Sequence, residues 1–194
     1  MAPGGISRQR TQPSAGPRPL PDGAHAGYPG TVRTLLALAL LGLPAAAAMR
    51  RMPLRHDPAC VLSAVAFAMN VRLDPAVAPP ILRLETQTPV SEFADALEPQ
   101  WGSRPDRFTN AYAPGAGKIF LIEDAAYYEK FGRDIADSLA HEYAHFIQVR
   151  YRGLSIGDFG DSEESEAVSV QTWFRDNYIR GTAPAGAPAC RPRG

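Results

Sequence analysis

The chain is poor in the residues that make most metal sites. It has four histidines (His25, His56, His141 and His145) and two cysteines (Cys60 and Cys190) in 194 residues. No C-x-x-C pair occurs, so zinc held by cysteines has no support. No H-x-E followed by P-C-x-x-C occurs, which excludes the zinc deaminase signature. There is no basic patch, arginine-rich helix or basic stretch interleaved with aromatics, so nucleic acid is not an expected partner. The longest apolar run, residues 35–43, is too short to cross a membrane comfortably. Large apolar residues are nearly missing from residues 1–30, which are rich in Pro, Gly, Ser and Arg. Such a segment cannot bury enough surface to offset its chain entropy, and disorder is expected there.

Residues 31–48 have the order of a secretory signal: basic Arg33, the apolar run, then small residues offering an A-x-A cleavage site. A buried helix or an uncleaved membrane anchor are the alternatives. The signal lies unusually far from Met1. The expectation is that translation starts near Val32 from an alternative codon, with the preceding residues an upstream extension. Cleavage near Ala48 leaves a chain from Met49, exported to a periplasm or secreted and with no stable membrane insertion. Removing residues 1–48, with four arginines and one aspartate, leaves 16 basic and 19 acidic side chains, a net of −3. Cys60 and Cys190 both fall in this part, near its ends. In an oxidising compartment they can pair to tie the termini together; two free thiols are the alternative.

What is there is concentrated in residues 134–153. His141-Glu142-Tyr143-Ala144-His145 places two histidines four apart, one helical turn from each other on one face. Two imidazoles so placed can bind one divalent cation. The glutamate beside the first then stands where a general base for an activated water is needed. A third protein ligand and an open position are still required. Chance produces this pattern in roughly one chain of this composition in a few hundred, so an ordinary amphipathic helix with two solvated histidines is the competing reading.

The surrounding sequence supplies a scaffold. Asp57-Pro58 opens a helix through Asn70, with Asp as N-cap and Pro in the first turn; its apolar residues belong to a core. Residues 74–80 are a Pro-rich linker, and 81–86 a short strand. Residues 91–97 are a short helix capped by Ser91. Residues 107–112 and 118–122 flank a Gly/Pro turn and predict a β-hairpin. The unbroken run Ile119–Ile122 predicts a strand covered on both faces. Its place just upstream of the H-E-x-x-H helix resembles that of the edge strand of zinc peptidases, which lines the cleft and can pair with an extended peptide; a plain structural hairpin is the alternative. The main helix spans about 134–152, with Gly153 as its stop. Asp161 or Ser162 caps a further helix that runs to about Tyr178. Residues 182–194, rich in Ala, Pro and Gly, form a tail pinned only if Cys190 is bridged.

Asp137-Ser138-Leu139-Ala140-His141-Glu142-Tyr143-Ala144-His145-Phe146-Ile147-Gln148, followed by a helix with Glu164-Ser165-Glu166-Ala167, resembles the gluzincin clan of metallopeptidases. The resemblance covers about residues 119–178, less than half the chain. It implies an α+β fold: a small zincin-like domain over residues 49–181, with an antiparallel hairpin at a sheet edge, an HExxH helix, and a following helix carrying the third ligand. It implies Zn²⁺ held by His141, His145 and a glutamate. The E-x-x-A form of many small gluzincins selects Glu164, and an N-E-A-I-S-type match selects Glu166. Glu163 ranks third. Each also has an ordinary role available, since acidic residues suit a first helical turn and Asp161-x-x-Glu164 could be a capping box. The extended metzincin pattern does not fit, because Gln148 and Tyr151 stand where it needs Gly and His.

The implied activity is hydrolysis of peptide substrates by a zinc-activated water, with Glu142 as general base. A non-catalytic zinc- or peptide-binding protein on a peptidase-like fold is the alternative. Asp137 and Asp161 are candidates to orient the ligand imidazoles. Tyr127, Tyr128 and Tyr178 are candidates to stabilise the oxyanion.

Overall fold

The computed structural model describes residues 49–193. The disorder, start-site and signal-peptide expectations for residues 1–48 lie outside the described residues. Within them the fold is α+β: five α-helices and one three-stranded sheet. No helix among the described residues is long and apolar enough to cross a membrane.

Helix α1 (Pro58–Ala68) begins as its sequence demands: the Asp57 carboxylate accepts from the Ala59 N–H at 2.9 Å, and Pro58 sits in the first turn. Its buried residues, Val61, Leu62, Ala64, Val65 and Ala66, join a core formed with α4 (Ile135–Arg150) and α5 (Asp161–Phe174). Helix α2 (Val90–Trp101) starts from Pro89 and ends at Gly102 in the left-handed region. Ser91, expected as its cap, is already inside the helix.

The strands are β1 (Ile81–Leu84), β2 (Ala111–Ala113) and β3 (Lys118–Leu121), in the order β1-β3-β2. The hairpin forms, but its first strand is shorter than expected; residues 107–110 lie outside it. β3 pairs in parallel with β1 and antiparallel with β2. Strand alternation sends Ile119 and Leu121 to the main core, while Phe120 faces a smaller cluster with Phe93 and Leu97 of α2. That accounts for the unbroken apolar run. It also corrects its expected place: β3 is the central strand, and the edge beside the cleft is β2.

A short helix, α3 (Ala125–Lys130), capped by Asp124, leads into α4. Asp134 caps α4 through the Ala136 N–H at 2.8 Å, and the Asp134 N–H donates to Asp137 at 3.1 Å. Both halves of a capping box are therefore present. Gly153, at φ +70°, ends the turn after α4. α5 is capped by Gly160, not by Asp161 or Ser162, and continues as one π-helical turn, Arg175–Ile179. Ala167, fully buried, lets α4 and α5 approach closely.

Cys60 and Cys190 are bridged, 130 residues apart in sequence. The Tyr178 hydroxyl donates to the Pro188 carbonyl at 2.9 Å, and the Arg193 N–H to the Arg55 carbonyl at 2.8 Å. The bridge and these bonds fasten the final residues to the start of α1. Closing so long a loop restricts the unfolded chain strongly, so the double variant Cys60→Ser/Cys190→Ser is expected to lose about 2–5 kcal/mol. Urea unfolding of both proteins measures this directly, and wild-type protein with reductant should match the variant.

Candidate metal centre

His141 and His145 project from one face of α4, and their Nε2 atoms stand 3.0 Å apart. α5 brings Glu164 against them, with carboxylate oxygens 3.6 Å from His141 Nε2 and 3.4 Å from His145 Nε2. Among the described residues these three form the one group of His, Cys, Asp and Glu side chains able to hold a metal ion. Two nitrogen or oxygen ligands on a tetrahedral zinc lie about 3.3 Å from each other, given bond lengths near 2.0–2.1 Å. The three observed spacings bracket that value.

Helix geometry sorts the neighbouring acids. Glu163 accepts from the Gly160 N–H at 3.0 Å and so completes the start of α5. Glu166 also lies toward α4 but is taken by Arg152 at 2.6 Å and by Gln148 at 3.0 Å. Only Glu164 remains free to face the imidazoles. The expected Asp161–Glu164 capping box is absent; Gly160 and Glu163 take those positions.

The orienting group is one the sequence reading did not assign. Gln148 is fully buried between α4 and α5. Its Oε1 lies 2.8 Å from His145 Nδ1, and its Nε2 donates to the Glu163 carbonyl and to Glu166, each at 3.0 Å. An amide that donates through nitrogen on one side must accept through oxygen on the other. His145 therefore carries a proton on Nδ1 and turns its Nε2 to the centre. The available signal was spacing alone: residues three apart on a helix share a face. Asp137, expected in this role, instead accepts from Gln171 at 2.8 Å and pairs with Arg175 at 3.5 Å. Asp161 is exposed at the first turn of α5.

The electrostatics suit a cation. Burial, with help from His145 and Arg133, pulls His141 down to about 4, so it is neutral at physiological pH. His141 Nδ1 is buried without a partner. The donor set, two imidazoles and a carboxylate, is one that zinc accepts while keeping an open position.

Comparison with known protein families, curated proteins and solved structures gives no match to this chain.

The centre opens into a cleft of about 390 Å³. Asn110, Ala111 and Tyr112 form one wall, and Trp101, Ile156 and Phe159 lie around it. The Phe159 ring stands 5.2 Å from the His145 ring. Glu142 lines the same cleft, buried, and burial together with the nearby Glu164 charge pushes it up to about 8. A cation at the triad would offset the Glu164 contribution. Of the three tyrosines considered, Tyr128 is fully buried with its hydroxyl donating to the Ile122 carbonyl at 2.7 Å, and Tyr178 is tied to Pro188. Tyr127 alone lies beside His141 and Glu142.

Gln148→Leu keeps the apolar volume but removes the acceptor for His145. The expected outcome is about a 10–100-fold loss of metal affinity, with helical circular dichroism preserved. Competition with a chromogenic chelator measures the affinity.

Proposed function

We propose that this protein is a small zinc-dependent hydrolase of the gluzincin type, acting on peptide bonds. One observation carries the reading: the two imidazoles of H-E-x-x-H and a carboxylate from the next helix converge at ligand spacing, with Glu142 in the same cleft. His141, His145 and Glu164 would hold the cation. A cation so held lowers the pKa of water and polarises a carbonyl. Glu142 takes the proton of the attacking water and delivers it to the leaving amine. Gln148 keeps the His145 ring in one tautomer throughout. Tyr127 donates to the oxygen that gains charge at the tetrahedral stage. The backbone edge of β2 offers an extended peptide a strand to pair with. The zincin-like character of the fold belongs to this same reading. Export agrees with the Cys60–Cys190 bridge, since disulfides persist in oxidising compartments.

Metal analysis and turnover of a mixed peptide library test the proposal together. Purified protein should carry one zinc per chain. His145→Ala and Glu164→Ala should lose it. Glu142→Gln should keep the metal and lose cleavage by about 10³-fold or more, as expected when a general base on the reacting water is removed. Unchanged cleavage in that variant overturns the mechanism. Zinc with no turnover in wild-type protein selects the alternative, a non-catalytic zinc- or peptide-binding protein.

Tyr127→Phe removes one hydrogen-bond donor without changing the ring. Its expected effect is a fall in kcat of about 10²-fold with KM little altered. Steady-state kinetics on the best library peptide separates the two constants.

A further inference from the structure

Glu142 and His141 have a second concave face. On the side toward the N-terminus of α4 lies a pocket of about 170 Å³, bounded by Asn110, Tyr127, Arg133, Val168 and Gln171 as well as by those two residues. Counted in liquid water at about 30 Å³ per molecule, that volume holds roughly five or six waters, enough for a carboxylate on a short aliphatic stem.

The pocket contains one fixed positive charge. Arg133 is half-buried and close enough to His141 to help keep it neutral. Among the described residues no carboxylate lies within ion-pair distance of its guanidinium. The acids nearest in sequence are committed elsewhere. Asp134 caps α4 through the Ala136 N–H. Asp137 is held by Gln171 and Arg175 beneath the helix. Asn110 adds a second donor. Its Oδ1 accepts from the Ile122 N–H at 2.8 Å, which turns its NH₂ end away from that bond and leaves it without an acceptor among the described residues. A planar five-donor guanidinium beside an oriented amide NH₂ is a receptor for a carboxylate. Val168 and the Tyr127 ring can cover the stem.

We infer that this pocket is a substrate subsite for a carboxylate, read by Arg133 with Asn110, so that the peptides bound here are acidic next to the bond being cut. The inference rests on the hydrolase reading for its place in the reaction, but not for its binding chemistry. The carboxylate can come from a glutamate or aspartate side chain, or from the C-terminus of the peptide.

Equilibrium binding to the full chain carrying Glu142→Gln tests this without turnover. The probes are fluorescent hexapeptide pools: one with Glu fixed at an interior position and an amidated C-terminus, one with Gln in its place, and one with Gln and a free C-terminal carboxylate. The Glu pool or the free-carboxylate pool should bind about tenfold tighter than the amidated Gln pool, as a charge-assisted pair requires. Whichever of the two gains identifies the source. Adding Arg133→Ala should abolish the gain, and Arg133→Lys should keep part of it, since charge remains but the fork is lost. Equal binding of all pools, no binding, or a preference that survives Arg133→Ala overturns the inference. A loss that is equal for Glu and Gln pools does so too, because it assigns Arg133 to a role without selectivity. Protein that takes up no zinc and cleaves no peptide yet prefers acidic peptides defeats the hydrolase reading and leaves the subsite standing. Active protein with no preference does the reverse.

Discussion

The centre depends on a polar seam buried between two helices. α4 carries both imidazoles and α5 carries the carboxylate, so the three groups that could hold a metal ion meet only if the helices hold one register. Apolar packing around Ala167, Val170 and Phe174 drives the helices together but tolerates small slips. The seam is less forgiving. Gln148 bonds to His145 on its own helix and to Glu163 and Glu166 on the other. Toward the other end, Asp137 of α4 meets Gln171 and Arg175. A shift of either helix would leave these groups unpaired away from water, and each costs about 1–3 kcal/mol when stranded. Hydrogen bonds at both ends of the contact thus convert a general attraction into a fixed distance between Glu164 and the histidines.

The same geometry decides among three glutamates clustered in sequence. Successive residues on a helix rotate by about 100°, so Glu163, Glu164 and Glu166 face different directions. Glu163 reaches back to the free N–H at Gly160, where a negative charge also suits the helix dipole. Glu166 lies toward α4 and takes Arg152 and Gln148. Glu164 faces the pair of rings. Each acid has a distinct task, and exchanging Glu164 for either neighbour would remove a cap or a cross-helix bond.

Legibility in the sequence followed the range of the interaction. The H-E-x-x-H face and the cap at Asp57 are local, and residues within one turn determine them, although Ser91 and Asp161 or Ser162, equally local cap candidates, gave way to Pro89 and Gly160. The hairpin around Pro114–Gly117 was readable from turn chemistry for the same reason. The order of the strands was not. Ile119, Phe120 and Leu121 announce a strand buried on both sides, yet only the parallel partner β1, some 37 residues earlier by the Ile81↔Lys118 pairing, makes β3 central. The orienting role of Gln148 was hidden because a buried glutamine and a surface glutamine look alike until the opposite helix is placed. Arg133 and Asn110 lie on different elements and meet only through the fold.

Strand order has a consequence for how a substrate could lie. β2 pairs with β3 on one side only, through Ala111↔Phe120, Tyr112↔Ile119 and Ala113↔Lys118. Its other side forms the wall of the cleft that holds Glu142 and the two histidines. Backbone N–H and C=O groups on such an edge need partners, and water or an added strand supplies them. With only three residues, β2 is short enough to discourage pairing with another sheet, yet long enough to bind a few peptide units. On the proposed function, an extended peptide laid along it would pass between the two pockets that flank Glu142. The peptide bond opposite Glu142 would then be fixed by backbone pairing. Side-chain selection would fall to the pocket walls, with Trp101 and Phe159 around the larger cleft and Arg133 in the smaller one.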